Sequence, residues 1–309
     1  MKIGLFLANH FYEKAGGRAA IQSLIDNGVL VGRNCLSTRE LCRLTPIALK
    51  DMAELGVECI ELFNTAEKLD ALAPYVKEMK DIDVIIHEFD DGDGYPSSNR
   101  IGTEDKQLRT VIREHLKWLI EIAGRMGAGK IVLHTPTLML KEINPGDKSF
   151  PRRVKDLWVE LLRECASVAA GRKVILAVEN EVAKPHEGAW RLVRRPEDLI
   201  AAVDEIASEY VKCTFDVAHA NVGFSPLEYA AVLGKRISHV HWHDNDGTKD
   251  QHLAPGMGNI DFTAIMKFLL ALEKQGVDEI TVTLECDKPE VDYEGEFFKL
   301  KALRDKNAN

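Results

Sequence analysis

Residues 279–285 read EITVTLE, and the alternation inside those seven residues decides how the rest of the chain is read. Successive side chains of a strand point to opposite faces, so Ile280, Val282 and Leu284 share one side while Thr281, Thr283 and Glu285 share the other. A helix would scatter both sets. In a closed barrel the bulky apolar set packs against covering helices and the polar set points into the barrel. Seven further apolar runs recur along the chain: KIGLFLA (2–8), ECIELF (58–63), DVIIHEF (83–89), KIVLHTP (130–136), VILAVEN (174–180), KCTFDVA (212–218) and RISHVHWH (236–243). Between them lie segments of helical period, such as Ile112, Leu116, Leu119, Ile120, Ala123 and Met126.

Eight alternating strands and helices in 309 residues are what a (β/α)8 TIM barrel requires, so the expected fold class is α/β, a single barrel domain over residues 1–309. A doubly wound open sheet is the alternative. The stretch 9–39, with its glycine pair at 16 and 17, is expected as an extended loop or insertion after the first strand. Thr45-Pro46 is expected to cap the helix over IALKDMAEL, with Gly56 closing it and Gly127, Gly171 and Gly276 just past later helices.

Composition limits the classes of function. Apolar residues make up 45% and charged residues 29%, the balance of a globular protein, and no apolar run approaches the ~20 residues of a membrane helix. MKIGLFLANHF has too short an apolar core for a signal peptide, so a cytoplasmic location is expected. The six cysteines, at 35, 42, 59, 165, 213 and 286, form no C-x-x-C pair and read as reduced, mostly core residues. A net charge of −9 argues against a broad polyphosphate-binding surface, which makes nucleic acid an unexpected partner, although a local basic patch is compatible with an acidic chain.

Aligning the runs by their ends locates a site. His87, His134, Glu179, Asp216, His241 and Glu285 each fall at or near the C-terminal end of a different strand. That end is where barrels of this kind carry their active sites. Taken singly, a strand-end histidine is more often a packed core residue, and Asp216 or Glu179 more often a helix cap. Three carboxylates converging with three imidazoles change that balance, because they repel or shift their pKa values unless a cation sits between them. A divalent metal is the simplest partner. The seventh run continues into HVHWHDNDGTKDQHLAPGMG (239–258), which places His239, His241 and His243 on one face of a strand and adds a D-x-H pair, Asp250 and His252.

These stretches carry a family resemblance. The chain resembles the xylose isomerase-like TIM-barrel superfamily, which includes sugar isomerases and epimerases, inosose dehydratases and endonuclease IV. The matching residues are LAVEN around Glu179, FDVAHAN around Asp216 and His219, HVHWHDN with DQHLAPGMGNIDF, and TLE at Glu285. The resemblance implies one divalent metal held by Glu179, Asp216, His241 and Glu285. It also implies up to two further ions, as in the nuclease branch, on His87, His134, His219, Asp250 and His252. Mixed imidazole and carboxylate donors suit Zn, Mn, Co, Fe or Mg. Relatives of this type are commonly dimers or tetramers, which makes a homo-oligomer the implied assembly.

Two activities follow from that resemblance. The first is a metal-dependent sugar or sugar-phosphate isomerase or epimerase working through an enediolate. Glu179 and Glu285 would move the proton, and His219, Glu61 and His243 would line the substrate. The second is a phosphodiesterase on abasic DNA, with an inosose dehydratase-like lyase beside it. Arg152 and Arg153, and Arg191, Arg194 and Arg195, are basic clusters where a phosphate would approach, while a solvated loop face is the plainer reading of both. The backbone N–H groups around Gly256 and Gly258 are a further place for a phosphate. A barrel that binds a sugar without turning it over is disfavoured, because binding alone does not need so many ionisable groups in one cavity.

Overall fold

The computed structural model describes residues 1–6, 36–89, 96–144, 146–183, 188–286 and 291–308. Eight parallel strands close into one barrel: β1 (Lys2–Phe6), β2 (Cys59–Phe63), β3 (Asp83–His87), β4 (Lys130–Leu133), β5 (Ile175–Glu179), β6 (Val211–Asp216), β7 (Ile237–Trp242) and β8 (Thr281–Leu284). Closure runs through β1 against β8, with Lys2 opposite Thr281 and Leu5 opposite Leu284. The open-sheet alternative is thereby removed. Around the barrel lie α1 (Thr38–Glu54), α2 (Ala66–Val76), α3 (Lys106–Met126), α4 (Phe150–Arg172), α5 (Pro196–Ile206), the short α6 (Val217–Asn221), α7 (Pro226–Leu233), α8 (Phe262–Lys274) and α9 (Tyr293–Ala308). An antiparallel ribbon, Thr137–Met139 against Ala189–Arg191, joins the loops after β4 and β5.

Most of the expected stretch 9–39 lies outside the described residues. Its last two residues already belong to α1, which starts earlier than Thr45-Pro46 would place it. Ser37 caps the helix by accepting from the Glu40 amide, and the Glu40 carboxylate accepts from the Ser37 amide at 3.2 Å. This reciprocal cap satisfies two otherwise orphaned donors. Pro46 is then inside the helix, on its exposed face. Gly171 likewise stays helical, and α4 ends on Lys173, which takes the left-handed conformation itself at φ 57.

The main core lies between the outer faces of the strands and the helices, where Ile3, Ile60, Ile131, Leu176, Val240 and Val282 are completely buried. The barrel lumen is different. Cys59, Ile85 and Val132 form a small separate apolar plug, and Glu61, His239, Thr281 and Thr283 are buried polar residues of β2, β7 and β8. These polar side chains need hydrogen-bond partners instead of packing alone. At Gly4 a Cβ would lie 1.8 Å from the Cys59 carbonyl oxygen, so only glycine lets β1 and β2 approach this closely.

Candidate metal centre

The four residues expected to hold one ion are delivered by four consecutive strands. Glu179 and Asp216 end β5 and β6, His241 lies inside β7, and Glu285 follows β8. Register puts Asp216 and Thr283 on either side of His241. Glu179, Asp216, His241 and Glu285 each offer a ligand atom within 4.8 Å of the others, and all four are buried. Asn180 fixes the β6 end independently of the Asp216 side chain: its Oδ1 accepts from the Asp216 amide at 2.8 Å and its Nδ2 donates to the Asp216 carbonyl at 2.9 Å.

His241 Nδ1 stands 2.9 Å from Glu285 Oε2, 3.1 Å from Glu179 Oε1 and 3.5 Å from Asp216 Oδ2. One ring nitrogen facing three carboxylates holds either a proton or a cation. Burial pulls the His241 pKa down, but Glu285, Glu61 and Glu179 outweigh it and hold the ring well above its ordinary value. Glu179 behaves conversely: burial pushes it up, and His241, His134 and His219 hold it well below the carboxylate range. The Asp216 carboxyl is also lowered, with burial outweighed by His219, His243 and His241.

Two further groups flank this centre. On one side, His87 Nε2 and His134 Nε2 lie 3.1 Å apart, and Glu179 Oε2 sits 3.3 Å from His134 and 3.7 Å from His87. That carboxylate oxygen is buried and accepts no hydrogen bond of good geometry. On the other side, Asp250 Oδ2 is 2.8 Å from His252 Nε2 and 3.4 Å from His219 Nε2. Burial raises the Asp250 carboxyl, but His219 and His252 outweigh it and hold it far below its ordinary value. His219 is held well above its ordinary pKa by Asp216, Asp250 and Glu179 against the opposing effect of burial. The donor set therefore fits a divalent cation in the centre, and the Glu179 oxygen that accepts no hydrogen bond lies beside His87 and His134, a second cluster of donors. Imidazole and carboxylate in this mixture suit first-row metals.

Glu61 and His243 are not where substrate-lining residues belong. Glu61 has no exposed surface and lies beneath the histidines, where its carboxylate accepts from His239 Nε2 at 2.9 Å, His241 Nε2 at 3.1 Å and Thr283 Oγ1 at 2.6 Å. Burial raises its carboxyl, and the neighbouring imidazoles outweigh this and hold it well below the ordinary range. His243 is also fully buried, donating through Nε2 to Asp216 Oδ2 at 2.9 Å, with its ring stacked 4.3 Å from that of His252. His239 lies deeper still, pushed down by burial to about 4, and is therefore a neutral ring at pH 7.

The loop after β7 closes one proposed anion site. Asp244, completely buried, accepts from the amides of Gly256 at 2.8 Å, Gly258 at 2.9 Å and Asn245 at 2.9 Å. The N–H groups read from PGMGN as a phosphate cradle are already bound to an internal carboxylate.

Above the centre opens a cleft of about 410 Å³ lined by residues that include His87, His134, Glu179, His219, Asp250, His252 and Glu285. Its remaining lining, Phe63, Asn99, Thr137, Glu181 and Arg191, was not singled out as substrate lining by the sequence. Asn99 and Thr137 sit in connections with no periodic signal. Arg191, from the ribbon, is 8% exposed and pairs with Glu181 at 3.1 Å. Arg194 is exposed and Arg195 pairs outward with Glu197 at 3.6 Å. Arg153 is taken by Asp147 at 2.6 Å and by Glu104, and Arg152 by Asp156 at 3.8 Å. Neither basic cluster forms a continuous basic face.

A family model described as the xylose isomerase-like TIM barrel matches residues 49–303. The chain belongs to this family. Among curated relatives, a fructoselysine 3-epimerase of Shigella flexneri is 24% identical over 256 residues, covering 78% of this chain and 87% of the relative. Among solved structures of the same fold, a D-tagatose 3-epimerase-like protein superposes with a TM-score of 0.69 at 20% identity, over 99% of this chain and 98% of that one. The IOLI protein, solved with a bound zinc atom, superposes at 0.64 with 18% identity, over 100% and 98% of the two chains. Among the described residues no helix is long and apolar enough to cross a membrane.

Proposed function

We propose that this member of the family is a divalent-metal-dependent epimerase of a ketose or a ketose derivative, with Glu179 and Glu285 as the acid/base pair. The observation that carries the reading is the placement of those two carboxylates, from β5 and β8, 3.1 and 2.9 Å from the same His241 nitrogen at the floor of the cleft. The sugar epimerases among its relatives support it. When bound, a divalent ion would be held by Glu179, Asp216, His241 and Glu285 and would act as a Lewis acid on the carbonyl and neighbouring hydroxyl, acidifying the C–H between them.

The chain's own residues do the rest. One of the two glutamates removes the proton from the carbon next to the carbonyl, giving an enediolate, and the other returns a proton to the opposite face, which inverts that carbon. His219, whose Nδ1 lies 2.9 Å from the Asn180 carbonyl oxygen and whose Nε2 lies 3.4 Å from Asp250 Oδ2, lines the cleft where a substrate hydroxyl would meet it. Phe63 provides an apolar wall. Asn99, Thr137 and the Arg191–Glu181 pair offer donors and acceptors to the far end of a polyol. The cleft volume lies in the range of small-molecule pockets.

The nuclease reading retains one observation in its favour, the two flanking donor groups on His87, His134 and Glu179 and on His219, Asp250 and His252. A panel run in D2O with added Mn²⁺ or Zn²⁺, containing fructoselysine, psicose, tagatose, an inosose and an abasic duplex, separates the readings. The expected result is epimerised product carrying one solvent deuteron at the inverted carbon. Strand cleavage of the duplex without any sugar turnover would overturn the proposal.

A further inference from the structure

Glu61 lies fully buried in the lumen beneath the candidate metal centre. Its Oε1 is 3.1 Å from His241 Nε2 and 3.2 Å from His87 Nδ1. The opposite nitrogens of those two rings face different places: His241 Nδ1 faces Glu285, Glu179 and Asp216, while His87 Nε2 faces His134 and the unsatisfied Glu179 oxygen. The two rings stack with centroids 5.3 Å apart at 26°. Glu61 Oε2 is itself pinned from behind by Thr283 Oγ1 at 2.6 Å and His239 Nε2 at 2.9 Å, and Thr281 Oγ1, 2.7 Å from His239 Nδ1, receives Lys130 Nζ at 2.9 Å.

We propose that Glu61 is a positioning residue shared by two cation positions, the central one on Glu179, Asp216, His241 and Glu285 and the lateral one on His87, His134 and Glu179, and that it couples them. This rests on the metal-binding part of the function proposed above. A carboxylate behind a ligating imidazole fixes which nitrogen carries the hydrogen and turns the other toward the ion. Here one oxygen does this for His241, holding the hydrogen on Nε2, and the same oxygen lies 3.2 Å from His87 Nδ1, a buried nitrogen that makes no hydrogen bond of good geometry and for which Glu61 is the carboxylate at hand. A ring that rotates to follow its ion drags the shared oxygen, and with it the other ring. The lumen below supplies the pivot, because Thr283 and His239 hold Oε2 while Oε1 is the end that faces His241 and His87. Glu61 reaches no substrate: it is absent from the cleft lining and has no exposed surface.

The test is titration of metal-stripped protein with Co²⁺, read by calorimetry and by the visible d–d absorption of the bound ion, with wild type, Glu61→Gln, His87→Gln and the double variant. Gln keeps the shape but replaces one acceptor with an NH2 that cannot receive a ring N–H. Glu61→Gln should weaken binding at both positions about 10- to 100-fold and alter the Co²⁺ spectrum. His87→Gln should weaken central binding in the wild-type background and have a smaller effect on it once Glu61 is already Gln. A merely structural role would leave affinity and spectrum unchanged in folded protein. Wild-type affinity and spectrum in Glu61→Gln would overturn the proposal while leaving the metal reading intact; a wild-type chain that binds no Co²⁺ would overturn both. If Glu61→Gln does not fold, Thr283→Val, which strips one hydrogen bond from Oε2, decides in its place. A several-fold loss at both positions is then expected, and unchanged binding refutes the coupling.

Discussion

Asp216→Asn separates holding a metal from holding the fold. Asn180 clamps the backbone of Asp216 from both sides, so that clamp survives the substitution. The Asn oxygen can still cap α6 by accepting from the His219 amide, as Asp216 Oδ1 does at 2.6 Å. What disappears is one negative charge from a buried set in which Glu179, Asp216 and Glu285 surround a single ring nitrogen. An ion present at about 1,000 times its Kd stabilises the native state by about 4 kcal/mol. With an unfolding entropy of about 2.1 cal/mol/K for each of 309 residues, that raises Tm by about 6 °C. Losing a charged ligand should weaken binding at least as much as losing an outer partner does, about 100-fold, which leaves about 1.4 kcal/mol and about 2 °C at the same metal concentration. Calorimetric scans of the stripped protein with and without Mn²⁺ or Zn²⁺ read both numbers. The metal-free variant should melt modestly below metal-free wild type, since the imidazoles of His219, His243 and His241 favour the Asp216 charge that the substitution removes. A variant that keeps the full metal-induced rise would refute the ligand assignment, and one whose metal-free Tm collapses would refute the claim that Asn180 carries the backbone.

Other consequences can be checked directly. Lys130, buried and hydrogen-bonded to the Ser238 and Glu279 carbonyl oxygens and Thr281, is pushed down by desolvation to about 8. Because the unfolded chain holds that proton more tightly, the cost of burying the charge is full below pH 8 and fades as pH rises toward 10.5, so this group adds stability across that window. Carbon-13 NMR of the lysine Cε should give one midpoint near 8; all midpoints above 10 would contradict the burial. A Cβ on Gly258 would lie 2.1 Å from the Asn245 carbonyl oxygen, whereas Gly256 has open space and only its left-handed φ of 90 to lose. Gly256→Ala should therefore cost about 1–2 kcal/mol and Gly258→Ala clearly more in denaturant unfolding, and equal costs would refute the close-contact argument. Burial pushes the Cys165 and Cys213 thiols up to about 12 and Cys59 higher, so Cys42 should alkylate first among these four at pH 8. Rapid labelling of Cys59 in native protein would show that the lumen opens.

The barrel and its central donor set were legible because both rest on period and position. Alternation in EITVTLE and the apolar runs of its seven counterparts identify strands, and a polar residue at or near the C-terminal end of six of them marks one rim. Helix starts were less legible at α1, where the reciprocal Ser37–Glu40 cap outweighs a proline signal eight residues later. Glu61 was misplaced for a different reason. Alternation shows that its side chain faces inward but not at what depth, and depth depends on how the eight strands are staggered. The lining residues Asn99, Thr137 and Glu181 come from connections without a repeat. Arg191 was visible as part of a basic cluster, yet only the antiparallel ribbon separates it from Arg194 and Arg195 and turns it into the cleft.

The loop after β7 also carries a built-in competitor. Its amide cradle is filled by Asp244, which is tethered to the same loop and never diffuses away, so a free anion must displace a carboxylate whose effective concentration is set by a short covalent link. Millimolar phosphate cannot match that. The same tether stiffens the segment bearing Asp250 and His252, so one buried side chain both rejects anionic groups at this corner and holds two metal-ligand candidates in place. A chain that needed to grip a phosphate here would have to surrender that rigidity along with Asp244.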